Sequence, residues 1–193
     1  RARRYLSRRT IGMVSSHRWG GLPPVAWWRD MDRSGGQLHE QTTHQVDLMR
    51  YLAGEIVEVC AQYSLRVMED VEDFNIPDAQ GALFKFHDGA IGTVVTSPMM
   101  TEGGGLSDLK FLVEDHILEW APGGNTLTPA DDEEVIAEPQ DTMNIDEAFV
   151  KAIRENDSGP IPCSYRSGLQ TAAVSIAANE SAKTGRPVEV ARV

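Results

Sequence analysis

No apolar run in this sequence approaches the roughly 20 residues that a membrane-spanning helix needs, which argues against a helical membrane protein. There is also no initiator Met, and no charged-then-apolar opening of the kind that marks a signal peptide. Arg1-Ala2-Arg3-Arg4-Tyr5-Leu6 reads as the last turns of a helix that begins elsewhere, so the chain is expected to be an excised domain. Cysteine is scarce. Cys60 lies in an apolar strand pattern and Cys163 follows Ile161-Pro162, neither with a Cys or His partner at ligand spacing. A disulfide framework and a zinc site are both disfavoured, and a reducing cytoplasm is the expected compartment. A basic surplus is missing as well. The net charge is −11, and because residues 1–9 hold five Arg and no acid, the rest of the chain stands near −16. Phosphate backbones need a basic face, so nucleic acid is not an expected partner. The sequence has no internal repeat, no low-complexity linker and no Gly-x-Gly-x-x-Gly after a strand. Gly103-Gly104-Gly105 has the wrong spacing and context for a dinucleotide loop.

What is present is an ordinary globular composition, 41% apolar and 24% charged over 193 residues, enough for one domain with its own core. Ile11 to Arg18 alternates as a strand, and Gly20-Gly21-Leu22-Pro23-Pro24 breaks it into a loop. A long helix is expected from Gln37 to Ala53, stopped by Gly54. Glu55–Val67 reads as a strand. Ala79–Phe86 and Ala90–Thr96 form a hairpin around His87-Asp88-Gly89, and Leu109–Val113 and His116–Trp120 a second around Glu114-Asp115. A weaker strand signal lies at Glu134–Ala137. Asn144-Ile145-Asp146-Glu147 has the spacing of a capping box, followed by Ile145, Ala148, Phe149, Ala152 and Ile153 as one apolar stripe. A last helix runs from Tyr165 to Thr184, with Leu169, Ala173, Ile176 and Ala177 expected inward, before a short strand at Val188–Val190. Strands in sequence followed by helices predict a single α+β domain over residues 1–193, with a mostly antiparallel open sheet covered by helices on one face.

On the Gln37–Ala53 helix, Glu40, His44 and Asp47 lie at i, i+4 and i+7 and share a face. A carboxylate one turn before an imidazole can fix its tautomer and raise its basicity, as an acid–base histidine requires. A surface ion pair fits the same spacing. A metal site does not: His39 and His44 are five apart, whereas two histidines meet one ion from a regular helix at four.

The stretch Ser34-Gly35-Gly36-Gln37-Leu38-His39-Glu40-Gln41-Thr42-Thr43-His44-Gln45-Val46-Asp47, continuing to Tyr51-Leu52-Ala53-Gly54, resembles the active-site helix of the glucose–fructose oxidoreductase/inositol dehydrogenase (Gfo/Idh/MocA) family. Phe84 to Thr93 is similar to that family's central hairpin, and Ala182-Lys183-Thr184-Gly185-Arg186-Pro187-Val188 to its C-terminal signature. The resemblance implies the substrate-binding domain of a two-domain oxidoreductase that moves hydride between NAD or NADP and a sugar, polyol or related secondary alcohol. It places His44 at the catalytic histidine and Glu40 where the family has an Asp that positions substrate and histidine. Asp47 falls at the later Asp of the motif, with a more structural role. His17, Trp28 and Arg29 are further candidates for contact with substrate, Trp27 and Trp28 as pocket walls.

The same resemblance implies that the cofactor, together with a Glu-Lys-Pro motif, belongs to an N-terminal nucleotide-binding (Rossmann) domain preceding Arg1. The chain alone would bind no cofactor and be inactive, and homo-oligomers would form through the sheet face away from the helices. The rival expectation is a non-catalytic binding and dimerisation module with the same fold. A stand-alone metal hydrolase would require bound metal.

Overall fold

The computed structural model describes residues 1–121, 124–128 and 143–193. A short helix α1 (Ala2–Leu6) leads into β1 (Ile11–Trp19). A 3-10 turn at Ala26–Arg29 and three helical segments follow: α2 (Met31–Ser34), α3 (Gln37–Glu40) and α4 (Thr43–Ala53). Then come β2 (Ile56–Ser64), β3 (Ala79–Phe86), β4 (Ile91–Ser97), β5 (Leu106–Val113), β6 (His116–Ala121) and β7 (Gly124–Thr128). Helices α5 (Ile145–Glu155) and α6 (Tyr165–Thr184) and the short β8 (Val188–Glu189) close the chain.

The strands form one open sheet in the order β7-β6-β5-β1-β4-β3-β2-β8. Every pairing is antiparallel except β1 with β4. That exception follows from connectivity. The chain leaves β1, crosses one face as helices to reach β2, and returns by the β2-β3-β4 meander to lie beside its own starting strand. The architecture expected from the sequence, an α+β domain with a mostly antiparallel sheet covered on one face, is the one observed.

Alternation of side chains divides the two faces. Val14 lies in register with Gly92, Phe84 and Val59 on one side and with Phe111 and Leu118 on the other, a buried row running across the sheet under the helices. Val46 and Met49 of α4, Tyr5 and Leu6 of α1, and Ala173, Val174, Ala177 and Ala178 of α6 pack onto it. The opposite face carries Met13, Ile91, Leu112 and Ile117 in one register row, all exposed, with Leu83 and Val95 nearby. A second small core of Met68, Phe74 and Ile76 ties the acidic 65–78 segment to Leu22 and Met31.

Three expectations need correction. The long Gln37–Ala53 helix is two helices: the Thr42 N–H reaches back to the Gln37 carbonyl, five residues earlier, and the ladder restarts at Thr42, which accepts from Gln45 and Val46. On α6, Ala173 and Ala177 are inward, but Leu169 is 41% and Ile176 60% exposed. The ridge of Ala, Val and Ser side chains lets this helix approach β2 closely, and closeness rather than bulk decides which face turns in. On α5 the capping box forms as expected. Its stripe divides, however, with Ala148 and Ala152 buried and Ile145, Phe149 and Ile153 exposed at 78%, 58% and 65%. Strand β7 was not anticipated, and the Glu134–Ala137 signal lies outside the described residues.

Candidate active site

The segment before α3 is shaped by two glycines. Gly35 caps α2 in the left-handed region at φ 72°, and Gly36 continues at φ 85°. A β-carbon on Gly36 would stand 3.1 Å from Gln80 Nε2 and 3.2 Å from Met31 Sδ, so the chain passes over the sheet at a distance that suits glycine. Helix α6 secures this crossing from the side. Asn179 Nδ2 donates to the Gly35 carbonyl at 2.9 Å, and His39 Nδ1 lies 2.6 Å from Ser175 Oγ. Because Ser175 gives its own proton to the Ala172 carbonyl, the His39 ring is left to donate at Nδ1. His39 is thus turned toward α6.

Glu40 ends α3, half-buried, and His44 sits in the first turn of α4, exposed. Among the described residues neither side chain makes a hydrogen bond or ion pair, and none joins the two. The break at Gln41-Thr42 explains this, since Glu40 and His44 ride on separate helical segments instead of stacking one turn apart. Asp47 behaves differently. It accepts from Thr171 Oγ1 at 2.6 Å and lies 3.6 Å from Arg50, inside a network that locks α4 to α6.

The remaining candidates are scattered. His17 alternates onto the sheet face opposite α4, with its Nδ1 2.9 Å from Asp108 Oδ1. That same oxygen accepts the His17 backbone N–H at 2.7 Å. Trp19 meets the ring edge-on and Lys110 lies 3.6 Å from the far oxygen of Asp108. The sheet therefore separates His17 from His44. Arg29 Nε donates to Pro23 O within its own loop, and Trp28 stands edge-on to Trp27 with its indole N–H buried and without an acceptor among the described residues. Neither makes a hydrogen bond or ring contact with Glu40 or His44.

Sequence reasoning missed the groups that hold this helix pair. Thr42 Oγ1 donates to Thr96 Oγ1 at 2.7 Å, and Thr96 in turn donates to the Arg18 carbonyl at 3.0 Å. Gln80 Oε1 accepts the Leu38 N–H at 2.8 Å. Their partners lie 42 to 78 positions away, and no local pattern carries such a signal. Arg50 was closer to legible, since it stands three residues after Asp47 on the same helix.

A groove of about 1080 Å³ lies at the far end of α4, between Arg50, Glu55, Lys85, His87, Arg166 and Glu189, and touches neither Glu40 nor His44. Among the described residues no group of three His, Cys, Asp or Glu is placed to hold a metal ion, and no helix is long and apolar enough to cross a membrane. They also form no dinucleotide cradle. The Gly103–Gly105 turn leads into strand β5, not a helix, and a β-carbon on Gly105 would fall 2.5 Å from the Trp19 carbonyl, so this turn is packed against β1.

A family model described as the GFO/IDH/MocA C-terminal domain matches residues 2–113. Levoglucosan dehydrogenase in complex with NADH superposes with a TM-score of 0.80 at 18% identity, covering 100% of this chain and 62% of that one. The WlbA dehydrogenase from Bordetella pertussis, in complex with NADH and UDP-GlcNAcA, gives 0.76 at 18% identity, with 100% and 59% covered. An oxidoreductase domain protein from Kribbella flavida gives 0.77 at 19%, with 99% and 62% covered. At such identities the likeness establishes the fold, and the chain spans 62% or less of the length of these structures. No curated protein matches the sequence.

Proposed function

We propose that this chain, which belongs to the family of GFO/IDH/MocA C-terminal domains, is the substrate-side domain of an NAD(P)-dependent oxidoreductase acting on a sugar, a polyol or a related secondary alcohol. In alcohol oxidation two things leave the reacting carbinol, a proton from oxygen and a hydride from carbon. The chain supplies the first half: His44 takes the hydroxyl proton at its imidazole, and Glu40 orients the substrate beside it. The hydride half belongs to a nucleotide-binding domain outside these residues, in keeping with the share of each NADH-bound relative that this chain leaves uncovered.

The observation that carries this reading is the state of His44. It stands exposed at the start of a buried-sided helix, with no hydrogen-bond partner among the described residues, at the position that the resemblance assigns to the family's histidine. One observation favours the rival reading, a binding module that has lost the chemistry, because no Glu40–His44 hydrogen bond poises the imidazole. The intact protein with His44→Ala, assayed for NAD(P) reduction against a panel of sugars and polyols, separates the two. Loss of about 10²–10⁴-fold in turnover is expected for an acid–base group, and unchanged turnover would overturn the catalytic role.

The open sheet face, with Met13, Leu83, Ile91, Val95, Leu112 and Ile117 exposed, is proposed as the self-association surface. Leu112→Glu should shift a homo-oligomer toward monomer in sedimentation, and a mass distribution identical to that of the parent protein would count against this surface.

A further inference from the structure

Gln80 and Thr96 stand opposite one another on β3 and β4, both fully buried on the helix-covered face. Their neighbours on that face are Phe84, Ala82 and Val94, so two polar side chains there are costly unless they are bonded. Each is bonded through its oxygen, and each to a different half of the broken helix, while Gln80 Nε2 is buried without a partner among the described residues. Gln80 Oε1 accepts the Leu38 N–H at the start of α3, the segment that ends in Glu40. Thr96 Oγ1 accepts the hydroxyl proton of Thr42 at the start of α4, two residues before His44, and its own hydroxyl is anchored on the Arg18 carbonyl of β1. Three adjacent strands, β3, β4 and β1, thus enter the arrangement. Directly opposed residues of an antiparallel pair have a fixed spacing of about 4.5–5.5 Å between β-carbons, which makes the pair a short rigid ruler.

We infer that the cross-strand pair Gln80–Thr96 is the device that sets where His44 stands relative to Glu40. Both are positioning residues: they act on the site through Leu38 and Thr42 and touch no substrate. The inference rests on the reading of His44 as the group that handles the proton. It also accounts for the break itself. A continuous helix would fix the Glu40–His44 geometry by its own ladder, whereas two short segments need an external reference, and the sheet provides it. Gly36 lies against the same device, because a β-carbon there would stand 3.1 Å from Gln80 Nε2 and the amide would have to give way by a few tenths of an ångström.

The test uses three variants, two at Thr96 and one at Gln80, which act on opposite halves. Thr96→Val keeps the shape and removes the hydroxyl, Thr96→Ser keeps the hydroxyl, and Gln80→Met removes the acceptor for Leu38. In Thr96→Val the His44 ring resonances are expected to move while those of His87 and His116 stay, and the Val46 amide to lose at least about tenfold in exchange protection with the Leu38 amide unaffected. Gln80→Met should give the reverse pattern, a loosened Leu38 amide and an intact Val46 amide. Thr96→Ser should restore the parent behaviour. In the intact oxidoreductase, Thr96→Val should lower kcat by about 10–100-fold with KM little changed, as misplacement of a reacting group does. Equal loosening of both amides in both variants, or a His44 ring that does not respond to Thr96→Val, overturns the inference. His44→Ala with full turnover would overturn the functional reading alone, and the ring and amide measurements would still decide the positioning.

Discussion

The two ends of helix α4 are built on opposite principles. At its C-terminal end Arg50 is buried and fully engaged. Nε and Nη2 make a two-pronged contact with Glu55 at 2.9 Å each, and Nη1 donates to the Ser167 carbonyl at 2.8 Å and to Thr171 Oγ1 at 2.5 Å. Thr171 then donates to Asp47, so one arginine ties α4, the β2 approach and α6 together. At the N-terminal end, less than three turns away, His44 and Glu40 make no side-chain hydrogen bond among the described residues. A group whose donors and acceptors are all occupied cannot exchange a proton with a ligand, and a group with none occupied adds little to stability. The helix therefore has a bonded, cohesive end and an unbonded one, and the proposed chemistry falls on the second.

The comparison can be broken most directly at Arg50. Arg50→Met leaves Glu55, Thr171 and the Ser167 carbonyl without their shared donor and Asp47 without its nearby positive charge. The penalty should be about 3 kcal/mol, the low end for a broken buried ion pair, because Glu55 is 57% exposed and can take up water. Urea unfolding measures it, and a change below about 1 kcal/mol would mean that the cohesive end is not where the network places it. Thr171→Val is the next step down. It removes the donor to Asp47 and the acceptor for Arg50 at nearly constant volume, with an expected cost of about 1–3 kcal/mol for the unsatisfied groups.

The cohesive half of this comparison was less visible in the sequence than the chemical half. Hairpin β3–β4 was legible because Asp88-Gly89 is a turn signal with a mechanism, and the structure shows it: Gly89 adopts φ 98° and Asp88 Oδ1 accepts the Ala90 N–H. Helices α5 and α6 were legible from Asn144 and Gly185, residues that cap by local chemistry. What was not legible depended on distance. At the interruption Thr42 is bonded to Thr96, 54 residues away, and the apolar periodicity of Gln37–Ala53 continues across it without a mark. The inward face of α6 was misread because periodicity ranks residues by apolarity, while the packed helix ranks them by how closely its axis can approach β2.

A second carboxylate sharpens the contrast with the unbonded Glu40. Asp78 is fully buried, with Oδ2 accepting backbone N–H groups from Arg66, Val67 and Met68 at 3.0, 2.6 and 2.9 Å. Burial alone would raise its pKa, but the backbone donors outweigh burial and hold it below the usual carboxylate value. A depressed folded-state value stabilises the protein above the unfolded-state pKa of about 3.9, and that stabilisation is lost as pH falls through the folded value. Denaturant titrations from pH 6 down to pH 2 should therefore show an acid limb that Asp78→Asn flattens. The variant should also cost about 1–2 kcal/mol at neutral pH, since the amide oxygen keeps the contacts but not the charge that strengthens them. An acid limb of unchanged steepness would assign the loss to other carboxylates.

The smallest expected effect on stability is at His44, and it is the most informative. An exposed side chain without partners should tolerate His44→Gln within about ±0.5 kcal/mol, the range for surface positions away from special features. The same substitution in the intact protein removes the proposed acceptor of the hydroxyl proton, so on that proposal the turnover loss should be large while the unfolding midpoint stays put. Arg50→Met should show the complementary pattern, a lower midpoint with His44 still in place and residual activity in whatever fraction remains folded. A stability loss above about 1 kcal/mol in His44→Gln would show that the imidazole is held by contacts that the domain itself supplies. The division of α4 into a cohesive end and a chemical end would then have to be redrawn around it.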